Sequence, residues 1–268
     1  MLRASLRHAQ ARIAALEEIE QDHTNTLLRF AHELAYDHDG MKIYGKNMTW
    51  MKNEKFMQAY SMGMDSGHQI GRAPGSTDDI HVEWRVHILI WAAQHALHLD
   101  GDFVECGVNT GIFSLAICDY LDFNTVDKSF YLFDTFNGLP ESQMLPSERE
   151  RAVRIAEADA YDECFETAKA NFAPFERAVL VRGMVPDTLD QVSIDKVAYL
   201  SIDMNLVYPE IAAIEHFWDK LVSGGIVVLD DYGWDIFSEQ QRAWDEFAAG
   251  KGVAIATLPT GQGLLIKP

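Results

Sequence analysis

Acidic side chains recur in this chain directly after apolar, β-forming runs, and those positions are where chemistry is to be sought. The run "YLSIDMN" ends on Asp203, and "IVVLDDYG" ends on two consecutive aspartates, Asp230 and Asp231. Carboxylates crowded against an apolar strand repel one another unless a cation or hydrogen bonds compensate. Three of them on neighbouring strand ends make an oxygen-rich set suited to Mg²⁺ or another divalent cation, with water or substrate oxygens completing the shell. The competing reading has one aspartate capping the next helix and another facing solvent.

A second group of residues surrounds the turn "FVECGVNTG". Gly107 and Gly111 let the backbone pass close to a ligand, and the helix that follows aims its free N–H groups at that ligand. Glu105 stands where a dinucleotide fingerprint, GxGxxG, places its first glycine. Asp134 ends "YLFD" and can accept hydrogen bonds from both hydroxyls of a ribose. In this order the two features point to an adenosine-bearing cofactor. A helix-packing glycine pair with an N-cap aspartate is the alternative. His68 and His81 flank the turn cluster "GRAPGSTDD" and are candidates to meet a substrate or take its proton. His87, His95 and His98 fall in a helical run instead. Tyr208, Tyr232 and Trp234 follow the acidic strand ends and are candidate walls of an acceptor pocket, or helix starts packed on the sheet.

These side chains need a scaffold that brings strand ends together. From residue 80 onward, short apolar runs at 102–108, 129–134, 177–183, 196–204, 225–231, 253–258 and 263–268 alternate with amphipathic stretches. That alternation predicts an α/β, doubly wound, mainly parallel seven-stranded sheet with helices on both faces. Only "PTGQ" separates the last two runs, so a C-terminal antiparallel hairpin strand is expected. Before it, Leu2, Leu6, Ala9, Ile13, Leu16 and Ile19, then Leu27, Leu28, Phe30 and Leu34, predict a helical arm to about residue 36. A homo-oligomer through this N-terminal helix is expected. Residues 37–80 show no clean period and are expected to act as a cap or lid. The predicted division is an arm and cap over 1–80 and a cofactor domain over 81–268.

Composition narrows the partners. Forty-one acidic residues against twenty-two Lys and Arg leave a formal net charge of −19 over 268 residues. Such a surface repels phosphate backbones and anionic membranes, so neither nucleic acid nor membrane is an expected partner. Three widely spaced cysteines offer no disulfide framework and no metal knuckle, which suits a reducing cytoplasm. The first residues lack the apolar core of a signal peptide, and no apolar run has membrane-spanning length. A cytoplasmic location is expected.

The order "FVECGVNTG", "YLFDTFNGLPE", "VRGMVPDTL", "LSIDMNLVYPE", "LVSGGIVVLDDYG" resembles class I S-adenosylmethionine-dependent methyltransferases. Within that class it is similar to the macrocin O-methyltransferase (TylF-like) family, whose members methylate sugar hydroxyls of natural products. The resemblance runs from about Arg85 to the C-terminus. It implies a Rossmann-like fold and S-adenosylmethionine as cofactor, held by Glu105, Gly107, Asn109, Thr110, Gly111, Asp134, Thr135, Gly183, Met184 and Asp203. It also implies Mg²⁺ at Asp203, Asp230 and Asp231, with a small polar acceptor such as a sugar. An alcohol beside such a cation loses its proton more readily, and Asp203, His68 or His81 is the expected base. The chain departs from the family's "DGDLY" at "DMNLVY", where Asn205 replaces an acid. Two other functions compete: an NAD-dependent oxidoreductase, for which the turn lacks its first glycine, and a non-catalytic binding or assembly module.

Overall fold

The computed structural model describes residues 12–21, 34–73, 75–151 and 162–268. The chain forms two compact units, Met1–Trp50 and Met51–Pro268. In the first, residues 12–21 are helical, and β1 (Leu34–His38) pairs antiparallel with β2 (Met41–Tyr44). Asp39 and Gly40 between them both take positive φ, 50° and 71°, the backbone that a tight hairpin with right-twisted strands requires. The expected arm therefore stops short of residue 36, because Leu34 already belongs to a strand. Its segments 1–11 and 22–33 lie outside the described residues.

The second unit is built on a seven-stranded sheet. Its strands are β3 (Asp102–Cys106), β4 (Phe130–Asp134), β5 (Ala178–Arg182), β6 (Val197–Ile202), β7 (Leu221–Leu229), β8 (Ala256–Thr257) and β9 (Gly263–Ile266). They lie in the order β5-β4-β3-β6-β7-β9-β8. Neighbours are parallel except β9, which runs antiparallel to both β7 and β8. The doubly wound sheet and its antiparallel C-terminal strand thus match the sequence pattern. All six residues of β6 are buried, as expected for a central strand covered on both faces. The strand order reverses between β3 and β6, and in such sheets that crevice is where ligands bind.

The α-helices of this unit include α1 (Glu54–Met64), α2 (Glu83–Ala96), α3 (Ile112–Tyr120), α4 (Phe165–Phe172), α5 (Val207–Phe217) and α6 (Ser238–Lys251), and residues 146–151 are helical as well. Val104, Cys106, Leu200 and Val227 form one buried cluster with Ala213, Ile214 and Phe217 of α5 and Trp244 of α6. On the alternate positions of β3, β4 and β6, Phe103, Phe130 and Tyr199 pack ring to ring, and Phe123 packs on Phe103 and Phe130. Helix α1 falls where no period was legible. Its buried stripe is Phe56, Ala59, Tyr60, Gly63 and Met64, a helical spacing in which a glycine and a tyrosine stand in for aliphatics. Asn53 caps it by accepting the Phe56 N–H at 3.2 Å. The glycine is there for contact: a Cβ on Gly63 would sit 2.2 Å from the Ile112 carbonyl oxygen of α3. Among the described residues no helix is long and apolar enough to cross a membrane.

Candidate functional site

Strands β6 and β7 are paired neighbours, with Ile202 opposite Leu229, so the residues just beyond them meet. Asp203, Asp230 and Asp231 each bring one carboxylate oxygen within 4.8 Å of the others. Burial pushes the Asp203 and Asp231 carboxyls well above the usual range, and the charge of Asp230 pushes them further. Asp230 is held differently. Arg85 Nη1 donates to its Oδ2 at 2.7 Å, and Gln262 Nε2 donates to its Oδ1 at 3.2 Å. The Arg85 guanidinium also lies 5.2 Å over the Trp234 ring. Asn205 Nδ2 donates to Asp203 Oδ1 at 3.0 Å. Three clustered carboxylates are the oxygen ligands a hard divalent cation takes, although both oxygens of Asp230 and one of Asp203 already accept hydrogen bonds.

The loop carrying Asp203 is fixed from below by a residue with almost no mark in the sequence. Glu210, 4% exposed in the first turn of α5, accepts from the backbone N–H of Met204 at 3.3 Å and Asn205 at 3.0 Å. Gln240 Nε2 and Trp244 Nε1 of α6 also donate to it, at 2.8 and 2.9 Å. Burial raises its carboxyl to about 7, against the pull of these donors. Asn205 turns the chain at φ 60°. Its carbonyl accepts from Arg151 Nη2 at 2.6 Å, and the Arg151 guanidinium stacks 4.4 Å over Phe237. Glu148, 1% exposed, takes the Val207 N–H at 2.7 Å. An acid in a helix's first turn is the only trace of Glu210 in the sequence.

Beside the acids opens a cleft. Its rim is made by the turns that follow β3, β4, β5 and β6, so it sits at the strand-order reversal. Gly107, Asn109, Asp134, Thr135, Gly183 and Asp203 line it, and so does His68. Gly107 has φ 92°, and a Cβ there would lie 1.8 Å from the Asp203 carbonyl oxygen. Only glycine lets the two strand ends close up this far. Asp134 Oδ2 accepts the N–H groups of Val108 and Asn109 at 2.6 and 2.8 Å, and Oδ1 that of Phe136 at 2.5 Å. The carboxylate thus ties its own turn to the glycine turn, with three backbone N–H groups taking most of its acceptor capacity. His68 is mostly buried, and burial together with Arg72 pulls its pKa down to about 4. Its Nδ1 has no hydrogen-bond partner among the described residues, so the neutral ring has a free nitrogen.

Other expected site residues lie outside that lining. Glu105 is 1% exposed and points into the layer between sheet and α3. There its Oε2, Ser114 Oγ and Tyr199 OH are buried without partners among the described residues. Burial raises Glu105 to about 8, the charges of Asp134 and Asp230 add to this, and the nearby Ser114 hydroxyl opposes it. Thr110 meets Ser66 Oγ at 3.0 Å, and Gly111, at φ 100°, opens α3 against the Phe172 ring. Met184 is on the surface. His81 pairs with Glu83 at 3.2 Å, away from the cleft lining. Of the three candidate wall residues, Tyr208 is exposed at the start of α5 and Tyr232 is buried with its hydroxyl donating to Asp245. Trp234 backs Arg85. Arg85 and Gln262, which reach Asp230 from opposite ends of the unit's sequence, had no signature in the chain because each acts through a distant partner.

A family model described as macrocin O-methyltransferase (TylF) matches residues 87–257. A curated protein of Streptomyces olivaceus, an 8-demethyl-8-(2,3-dimethoxy-alpha-L-rhamnosyl)-tetracenomycin-C 4'-O-methyltransferase, is 27% identical over 141 residues, covering 50% of this chain and 54% of that protein. A demethyldecarbamoylnovobiocin O-methyltransferase of Streptomyces niveus is 26% identical over 149 residues, with the same 50% and 54% coverage. The chain therefore spans about half the length of the curated relatives it matches. Among solved structures, the O-methyltransferase NovP is similar with a TM-score of 0.64 and 20% identity, covering 82% of this chain and 98% of that one. At that identity the likeness is one of fold.

Proposed function

The chain belongs to the macrocin O-methyltransferase family, and from that premise we propose that it moves a methyl group from S-adenosylmethionine to a hydroxyl of a small polar acceptor, a sugar or glycoside. One observation carries this reading: Asp203 is at once a wall of the cleft and a member of the three-carboxylate cluster. A cofactor in the cleft and a cation at the acids would therefore share one neighbour, where an acceptor hydroxyl must be brought to the methyl. That one curated relative is a 4'-O-methyltransferase of a rhamnosyl compound supports a sugar acceptor.

The residues present fit both groups. Half-buried, mutually repelling Asp203 and Asp231, with buried Asp230 beside them, would be relieved by a divalent cation. When bound there, such a cation lowers the pKa of a neighbouring hydroxyl. The glycine turn and the first residues of α3, Ile112 and Phe113, present backbone and apolar surface to the cleft. A helix start there favours the carboxylate of the methionine moiety. Asp134 lines the cleft while it holds the turn, and its Oδ1 is the oxygen that would meet a ribose hydroxyl, since Oδ2 already takes two backbone N–H groups. Val185 and Leu139 supply apolar wall that excludes water. In this reading the base that takes the acceptor's proton is His68, whose ring is neutral, or Asp203; both line the cleft.

The test is cofactor consumption over a panel of glycosides, phenols and hydroxy acids, with and without chelator, alongside calorimetric titration with S-adenosylmethionine and with NAD. Methylation of glycosides that chelator suppresses is the expected result. Tight NAD binding with none of S-adenosylmethionine overturns the reading, and methylation of phenols alone overturns the acceptor class.

A further inference from the structure

The acid cluster contains a cation of its own. Arg85, on α2, reaches across to the end of β7 and donates to Asp230 at 2.7 Å, with the two side chains 14% and 8% exposed. Trp234 backs the guanidinium, and Gln262 holds the other oxygen of Asp230. Both oxygens of Asp230 are thus already engaged, while Asp203 receives the Asn205 amide. Arg151 also favours the charged form of Asp231, but it donates its hydrogen bonds to the Asn205 and Ile236 carbonyls and to Gln240. Among the described residues three carboxylates meet one contacting guanidinium, so their fully ionised form carries two negative charges beyond it, the charge of one divalent ion.

We propose that Arg85 is the positioning residue of this cluster: it neutralises and orients Asp230, and so limits how strongly the site attracts a cation. The inference rests on the metal reading above and adds to it a reason why affinity is held down. Two effects compete when Arg85 is removed. Asp230 gains rotamer freedom, which weakens a cation site by loss of preorganisation. One positive charge also disappears from a half-buried cluster, and that effect scales with the cation's charge. In so poorly solvated a cluster the Coulomb effect is the larger. Arg85→Gln is therefore expected to bind Mn²⁺ more tightly than the unaltered chain.

The experiment is a Mn²⁺ titration of the full chain followed by electron paramagnetic resonance, with circular dichroism confirming the fold of each variant. Arg85→Gln should bind Mn²⁺ at least about tenfold more tightly, while Arg85→Lys, which keeps the charge, stays close to the unaltered chain. Arg85→Met, which fills the stem's place over Trp234, should behave as Arg85→Gln and serves if that variant does not fold. Equal or weaker binding in both neutral variants overturns the proposal. Mn²⁺ bound by the neutral variants and not by the unaltered chain would support Arg85 as the resident counter-ion and remove metal from the proposed reaction. No binding by any of them overturns both.

Discussion

At the scale of single residues, the most telling group is one that does not line the cleft. Glu105 is fully buried beside two other orphaned polar atoms, and its carboxyl is raised to about 8. A native pKa above the unfolded value of 4.5 means that the folded chain keeps a proton which the unfolded chain has lost. The stability so contributed is whole below about 4.5 and declines as pH rises through about 8. His68 runs the opposite way, lowered to about 4 from 6.5, so its influence ends below neutrality. Between pH 7 and 9 Glu105 is therefore the group of the two that matters. The melting temperature of the unaltered chain should fall across that interval, by the equivalent of roughly 1 kcal/mol per pH unit below the native pKa. Glu105→Gln should lessen the fall. Parallel melting curves for the two proteins would refute the burial argument. Were a cationic cofactor to approach this carboxyl, its binding would also draw off the proton, a coupling that the same variant removes.

At the scale of elements, the site depends on how closely strand ends are allowed to approach. Gly107 joins β3 to the glycine turn at φ 92°, with the Asp203 backbone in the space a Cβ would fill. Gly107→Ala must both strain φ and push β6's end away, so a loss above about 3 kcal/mol is expected in urea unfolding, together with loss of cation binding. Gly250, late in α6, is the control: a Cβ there would meet nothing within 4 Å, and its φ is not left-handed. Gly250→Ala should stabilise by about 0.5–1 kcal/mol, since alanine is the better helix former. If Gly107→Ala unfolds at the same urea concentration as the unaltered chain, the close approach is not what sets the site. The strands and their terminal acids were legible beforehand because an apolar run ending in a carboxylate is a local pattern. Helix α1 was not, since Gly63 and Tyr60 hide its stripe. Nor were Arg85 on Asp230 or Glu210 beneath Asn205, whose meaning lies in pairings the sheet topology creates.

At the scale of the whole molecule, charge and an exposed apolar stripe among the described residues are expected to govern behaviour in solution. A formal charge of −19 opposes association of copies in general, so any self-association needs local compensation. The helix over residues 12–21 offers it. Ile13, Leu16 and Ile19 are 56%, 62% and 58% exposed along one side, a larger apolar stripe than a ten-residue helix leaves in water without reason. Its charges are segregated, with Arg12 at the start and Glu17, Glu18 and Glu20 towards the end. Two copies laid antiparallel about Leu16 would set Ile13 against Ile19 and Arg12 against Glu20, whereas a parallel pair would set acids beside acids. The expected outcome is a dimer by light scattering that weakens as salt rises, since exposed ion pairs are screened. Leu16→Asp should give a monomer with unchanged far-ultraviolet circular dichroism and unchanged Mn²⁺ binding, because the acid cluster belongs wholly to the other compact unit. A monomer from the unaltered chain, or a dimer that survives Leu16→Asp, would show that this helix face pairs with something other than its own copy.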